Sequence, residues 1–297
     1  MTWELVATGG NQLGGLALDN TGQSNDLALH VVSSGTGEIM KIDPGDDGGP
    51  GKLVKRSPTG GFPNSMAFDQ AGALFVADFA HKSIVSQPVD ETEFQVLVGD
   101  YEGMQFYGPN SLCFDSNGTL FFTDSGPMGD TSLATPKGSV FCVSHEDQLL
   151  KPLALHCLAH PSGIVTSHDG NFVFVSETMA NRVLRFVKRP NGVFHCSVYH
   201  QFSGGFGPTA LACDNQSRLY VARFDFQVAG GGVVGKVAVL GEEGRILNEI
   251  DAPGPEVIGM MVAQEKDGSE TLYVSEQSAS SIHSTPIASF FDEAGVI

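Results

Sequence analysis

A strand-turn-strand unit recurs along this chain, and it constrains the fold more than any other feature. Its clearest copy is Gly108–Gly126, GPNSLCFDSNGTLFFTDSG. Leu112 and Phe114 alternate with Ser111, Cys113 and Asp115, the period of a half-buried strand. Asp115 to Gly118 is turn chemistry, because Asn tolerates and Gly favours a left-handed backbone. Thr119 to Thr123 is β-branched and aromatic, a second strand. Such a hairpin cannot bury its own apolar face, so it needs copies of itself.

The copies are present. Pro63 leads to Asp78, Pro161 to Glu177, Pro208 to Arg223, Val257 to Glu276, and Leu13 to Val31. Six starts lie roughly 45 to 53 residues apart, the spacing of propeller blades. The chain therefore reads as all-β, a single six-bladed β-propeller domain over residues 1–297. Blade six lacks a clear fourth strand, whereas Trp3 to Ala7 is a strand with no hairpin partner. The N-terminal strand is expected to pair onto blade six and close the ring, which removes an exposed edge. Phe290 and Phe291 are the competing segment. No helix-period segment of useful length is visible.

Charge bounds the partners. The formal net charge is −18, which speaks against nucleic acid and anionic membranes. No apolar run is long enough to cross a bilayer, so membrane insertion is not expected. Five cysteines without a CxxC motif read as reduced thiols of a cytoplasmic protein. The glycine runs Gly204–Gly207 and Gly230–Gly232 precede no helix and so are not phosphate cradles.

The inner strands should start at one face of the propeller, which places Asn64, Asn110, Ser162 and Thr209 around the central channel mouth. The second strands return to that face and end on Asp78, Asp124, Glu177 and Glu276, with Arg223 the odd member. These four acids form a candidate acidic site on the top face. Their plainer role is to cap amides of their own turns. His160 and Ser162 lack a third group and do not read as a nucleophile pair.

Pro63-Asn-Ser, Gly108-Pro-Asn-Ser, Pro161-Ser-Gly, Ser176-Glu-Thr with Asn181-Arg-Val, and Pro208-Thr together resemble the gluconolactonase / senescence-marker-protein (regucalcin-like) family. Its wider superfamily holds strictosidine-synthase-like proteins and the squid-type fluorophosphatase. The resemblance implies a divalent cation, usually Ca²⁺, held by a Glu of blade one, Asn residues of blades three and four, and an Asp of blade five. Asn110 matches the blade-three ligand. The other places fall on Ser162, on Thr209, and on Leu13 or Gly14 with Gln12 as the nearby polar side chain. Both anionic ligands are thus replaced. This chain is therefore expected to bind a small molecule or a protein partner at its top face, with a degenerate metal centre. The alternative is a divalent-metal-dependent lactonase or esterase acting at the channel mouth.

Overall fold

Each copy of the repeat forms an antiparallel hairpin; the first five continue outward for two more strands, and the sixth for one. The computed structural model describes residues 2–19, 28–45, 49–190, 192–205, 207–224 and 235–291. The Gly230–Gly232 run lies outside them. The inner and second strands are Leu13–Asp19 with Ala28–Ser33, Pro63–Phe68 with Leu74–Asp78, and Pro109–Phe114 with Leu120–Asp124. They continue as Pro161–Thr166 with Phe172–Glu177, Gly207–Cys213 with Leu219–Phe224, and Val257–Gln264 with Glu270–Glu276. Apart from three short 3₁₀ turns, the described residues hold no helix.

Glu4–Thr8 pairs antiparallel with Ser281–Pro286 and supplies the fourth strand of blade six. Phe290 does not compete for that edge. Ile287–Phe290 is a 3₁₀ turn, and Phe290 is buried edge-to-face against Tyr220 with ring centroids 5.2 Å apart. One pairing was invisible in the repeat pattern. Ala7 and Thr8 also pair in parallel with Gly51 and Lys52 of blade one's outer strand, so blades one and six share an eight-stranded sheet. A small extra hairpin, Asp100–Tyr101 with Met104–Gln105, precedes blade three.

The core lies between blades. Six hydrophobic clusters each join two consecutive blades. The cluster between blades six and one contains Ala7, Leu13, Val31 and Ile282. Alternating side chains explain this: one face of each sheet packs forward and the other backward.

Hydrogen bonds also cross every junction. Ser34 Oγ donates to the Pro63 carbonyl, Asn64 Nδ2 to that of Pro109, and Thr123 Oγ1 to that of Ser162. Ser176 Oγ donates to the Thr209 carbonyl, Thr209 Oγ1 to that of Val257, and Ser275 Oγ to that of Gly14. The donors sit at the start of an inner strand or near the end of a second strand, so the polar groups bond to backbone rather than lie unpaired in an apolar seam.

Candidate functional site at the channel mouth

Every inner strand carries a register shift at its start. It falls between Pro63 and Ser65, Pro109 and Leu112, Pro161 and Ile164, Pro208 and Leu211, Val257 and Gly259, and Leu13 and Leu16. A bulge re-aims the side chain it carries. Here that residue is Asn64, Asn110, Ser162, Thr209, Ile258 or Gly14. The first five line one cavity of about 430 Å³ at the end of the channel, together with Phe62, Phe79, Met128, His160, Thr178 and Gln277. Below it, the channel continues as a space of about 390 Å³ between the inner strands.

The structure thus brings Asn64, Asn110, Ser162 and Thr209 together. Gln12 is exposed, in a left-handed conformation (φ 53°), and does not line the cavity. The position matching the others in blade one is Gly14. A Cβ built there would lie 2.5 Å from the Asn64 carbonyl oxygen and 2.6 Å from Val32 Cγ2. Blade packing therefore leaves no room for an acidic side chain at that place.

The four acids stand beside the mouth but not in it. Asp78, Asp124, Glu177 and Glu276 pair across the sheet with Pro63, Pro109, Pro161 and Val257, one step outward from the cavity. Each is at most 2% exposed. Each carboxylate accepts backbone amides: Phe62 and His81 on Asp78, Tyr107 and Gly108 on Asp124, Ala159 on Glu177, and Glu256 and Ala279 on Glu276. Glu177 also takes Arg182 Nε at 2.6 Å. Burial pushes the Asp124 carboxyl above the usual range, against the two amides that pull it down. Arg223, the fifth-blade counterpart, bonds Glu249 at 2.8 Å and stacks over Phe202. The amide bonds tie each chain crossing to the strand end beside it.

The donor set at the mouth does not fit a Ca²⁺ ion. Calcium takes six to eight oxygens, and its affinity follows ligand charge. Among the described residues, no carboxylate lines the cavity. Ser162 Oγ lies 2.9 Å from the Thr209 carbonyl, 2.8 Å from Ser176 Oγ and 2.7 Å from Thr178 Oγ1, so its one hydrogen is held within this cluster and its oxygen offers only a neutral ligand. Thr209 Oγ1 donates to Val257 at 2.7 Å. Asn110 donates through Nδ2 to Ser125 Oγ at 3.1 Å, which leaves its carbonyl oxygen as one neutral ligand. Among the described residues, no group of three or more His, Cys, Asp or Glu side chains is placed to hold a metal.

Sequence reasoning set His160 aside as a nucleophile partner of Ser162 and did not place it at the mouth. It is 5% exposed, lines the mouth, and has a buried Nδ1 with no hydrogen-bond partner. Burial lowers its pKa to about 4, so the ring is neutral at pH 7. Its place directly before Pro161, at the start of an inner strand, was the available signal.

Comparison with known proteins agrees with this architecture. The model of the SMP-30/Gluconolactonase/LRE-like region matches residues 24–278. A lactonase, drp35 of Staphylococcus saprophyticus, is 30% identical over 260 residues, which span 85% of this chain and 73% of the relative. Among solved structures, a gluconolactonase from Xanthomonas campestris superposes with a TM-score of 0.74 at 20% identity, covering 95% of this chain and 88% of its own. A calcium-binding protein, regucalcin, from Agrobacterium tumefaciens gives 0.73 at 14% identity, covering 95% and 92%.

Proposed function

The chain belongs to the SMP-30/Gluconolactonase/LRE-like family, and from that premise we propose that it binds a small uncharged ring of the lactone or ester type at its channel mouth, with the family-type divalent centre degenerate. The reading includes a closed six-bladed ring with one axial channel. Support for closure comes from the bonds and apolar clusters that join each blade to the next, blade six to blade one included. The mouth offers neutral polar groups from Asn64, Asn110, Ser162 and Thr209 beside the apolar walls of Phe62, Phe79, Met128 and Ile258. Such a lining suits a ring with carbonyl and ether oxygens and disfavours a charged ligand.

One observation carries the reading: among the described residues no carboxylate lines the mouth, and the hydroxyl hydrogens of Ser162 and Thr209 are directed at neighbouring carbonyls. A second reading, hydrolysis of the same ring, is favoured by the lactonase relatives. Calorimetric titration of chelator-treated protein with Ca²⁺ separates a metal-dependent hydrolase from the proposal. No heat is expected up to millimolar ion. Micromolar binding that Asn110→Ala abolishes would replace the proposal with a metal-dependent hydrolase.

A further inference from the structure

The polar side chains at the mouth are mostly committed. Asn64, Ser162, Thr178 and Thr209 bond to carbonyls of the following blade, and Asn110 bonds to Ser125. His160 is the exception. Among the described residues lining the mouth, its Nδ1 is the one buried side-chain polar atom without a partner. Buried polar groups are nearly always paired, so this unpaired nitrogen restricts which tautomer the ring can hold.

The backbone supplies a second, independent observation. His160 holds φ at 60°, a conformation that L-residues adopt under strain. Blades three and five place glycine at the same position. At Gly207 φ is 123°, and a Cβ would lie 2.2 Å from the Thr178 carbonyl oxygen; at Gly108 it would lie 2.5 Å from the Phe79 ring. Blade four instead keeps a side chain there, in strained backbone, and turns it into the cavity wall.

The ring's chemistry then narrows what it does. Nδ1 is buried and unpaired while Nε2 is not, and His160 lines the cavity, which leaves Nε2 as the nitrogen open to it. A neutral imidazole carries one hydrogen. A buried lone pair without a donor is better tolerated than a buried N–H without an acceptor. The hydrogen therefore belongs on Nε2, where it faces the cavity. We propose that His160 is a neutral Nε2–H donor that anchors the carbonyl oxygen of a lactone or ester ring in the mouth. This rests on the mouth being a site for such a ring. A neutral imidazole can polarise a carbonyl without any cation. The ligand class follows: a ring bearing a carbonyl is held, and the same ring without one is not.

The test uses full-length, chelator-treated protein and two neutral probes, δ-valerolactam as a stable carbonyl-bearing ring and tetrahydropyran as the ring without it. Nitrogen NMR of histidine-labelled protein reads the tautomer. Calorimetry reads binding in wild type and in His160→Gly, which reproduces the residue found in blades three and five. We expect the Nε2–H tautomer at pH 7, a shift of that nitrogen on adding lactam, and a roughly ten-fold preference for lactam, the value of one hydrogen bond. His160→Gly should lose that preference while keeping a native circular dichroism spectrum. An Nδ1–H tautomer, or a lactam preference unchanged in His160→Gly, overturns the role of His160. Equal binding of both rings by wild type overturns it too, while leaving the mouth as a site. Binding of neither ring overturns the site reading itself, and the role of His160 with it.

Discussion

At the scale of single residues, two buried histidines set a pH limit on this fold. His160 and His30 are 5% and 2% exposed, and each has its pKa lowered to about 4, chiefly by burial. Arg56 lowers that of His30 further, while its bond from Nδ1 to the Ala28 carbonyl works the other way. Both folded-state values lie below the 6.5 of an ordinary histidine. Between pH 6.5 and about 4 the unfolded chain therefore binds protons that the folded protein refuses, so stability falls as pH falls through that window. Each ring should remove about 2 kcal/mol between pH 7 and pH 5. Denaturant unfolding at the two pH values measures this, and His160→Gly should show a smaller drop than wild type. An equal drop would mean that His160 is not buried neutral. Neither histidine carries a sequence motif that marks it as buried. Asn110, by contrast, was legible as a mouth residue because the proline before it opens an inner strand.

At the scale of the structural element, the ends of the second strands work as caps. Asp124 receives the amides of Tyr107 and Gly108 at 3.0 and 2.7 Å inside the protein. Asp124→Ala would leave the buried Gly108 amide and the part-buried Tyr107 amide unpaired, at a cost of about 1–3 kcal/mol. Chemical denaturation checks that figure. The same variant should leave ring binding at the mouth unchanged, because Asp124 does not line the cavity. Weakened binding with unaltered stability would restore the acid to a functional role. The sequence pattern sets these acids one step outward from the starts of the inner strands, since a strand that leaves the channel returns to the same face. What spacing alone left open was whether the carboxylates point inward or back into their own turns. The position of neighbouring amides settles this for Asp124, and those amides belong to the chain crossing before blade three.

At the scale of the whole molecule, the N-terminal strand couples the two ends of the chain. Glu4–Thr8 lies between Ser281–Pro286 and the outer strand of blade one. Removing residues 1–8 would expose an unpaired strand edge on blade six, and such edges recruit other chains. The truncated protein should melt at least several degrees lower than the full chain and associate in size-exclusion chromatography. A monomer of unchanged melting temperature would show that this strand does little for the fold. The subtler Ser275→Ala removes the bond across the junction between blades six and one, and should cost about 1–3 kcal/mol.

By itself, the sequence determined the repeat, the all-β class and the hairpin boundaries, and it set Asn64, Asn110, Ser162 and Thr209 at equivalent strand starts. These follow from local physics: a period of two in apolar residues, and turn residues that allow only certain backbone angles. Only the tertiary structure decided what those side chains do. Whether Ser162 is free to hold a ligand depends on Thr209, Ser176 and Thr178, which lie up to 47 residues away. Whether blade one can carry an acid at Gly14 depends on the Asn64 carbonyl of the next blade. Whether His160 is buried and unpaired depends on what packs around it. Hydrogen-bond partners and room for an atom are set by distances across blade junctions, and no local pattern of residues encodes them.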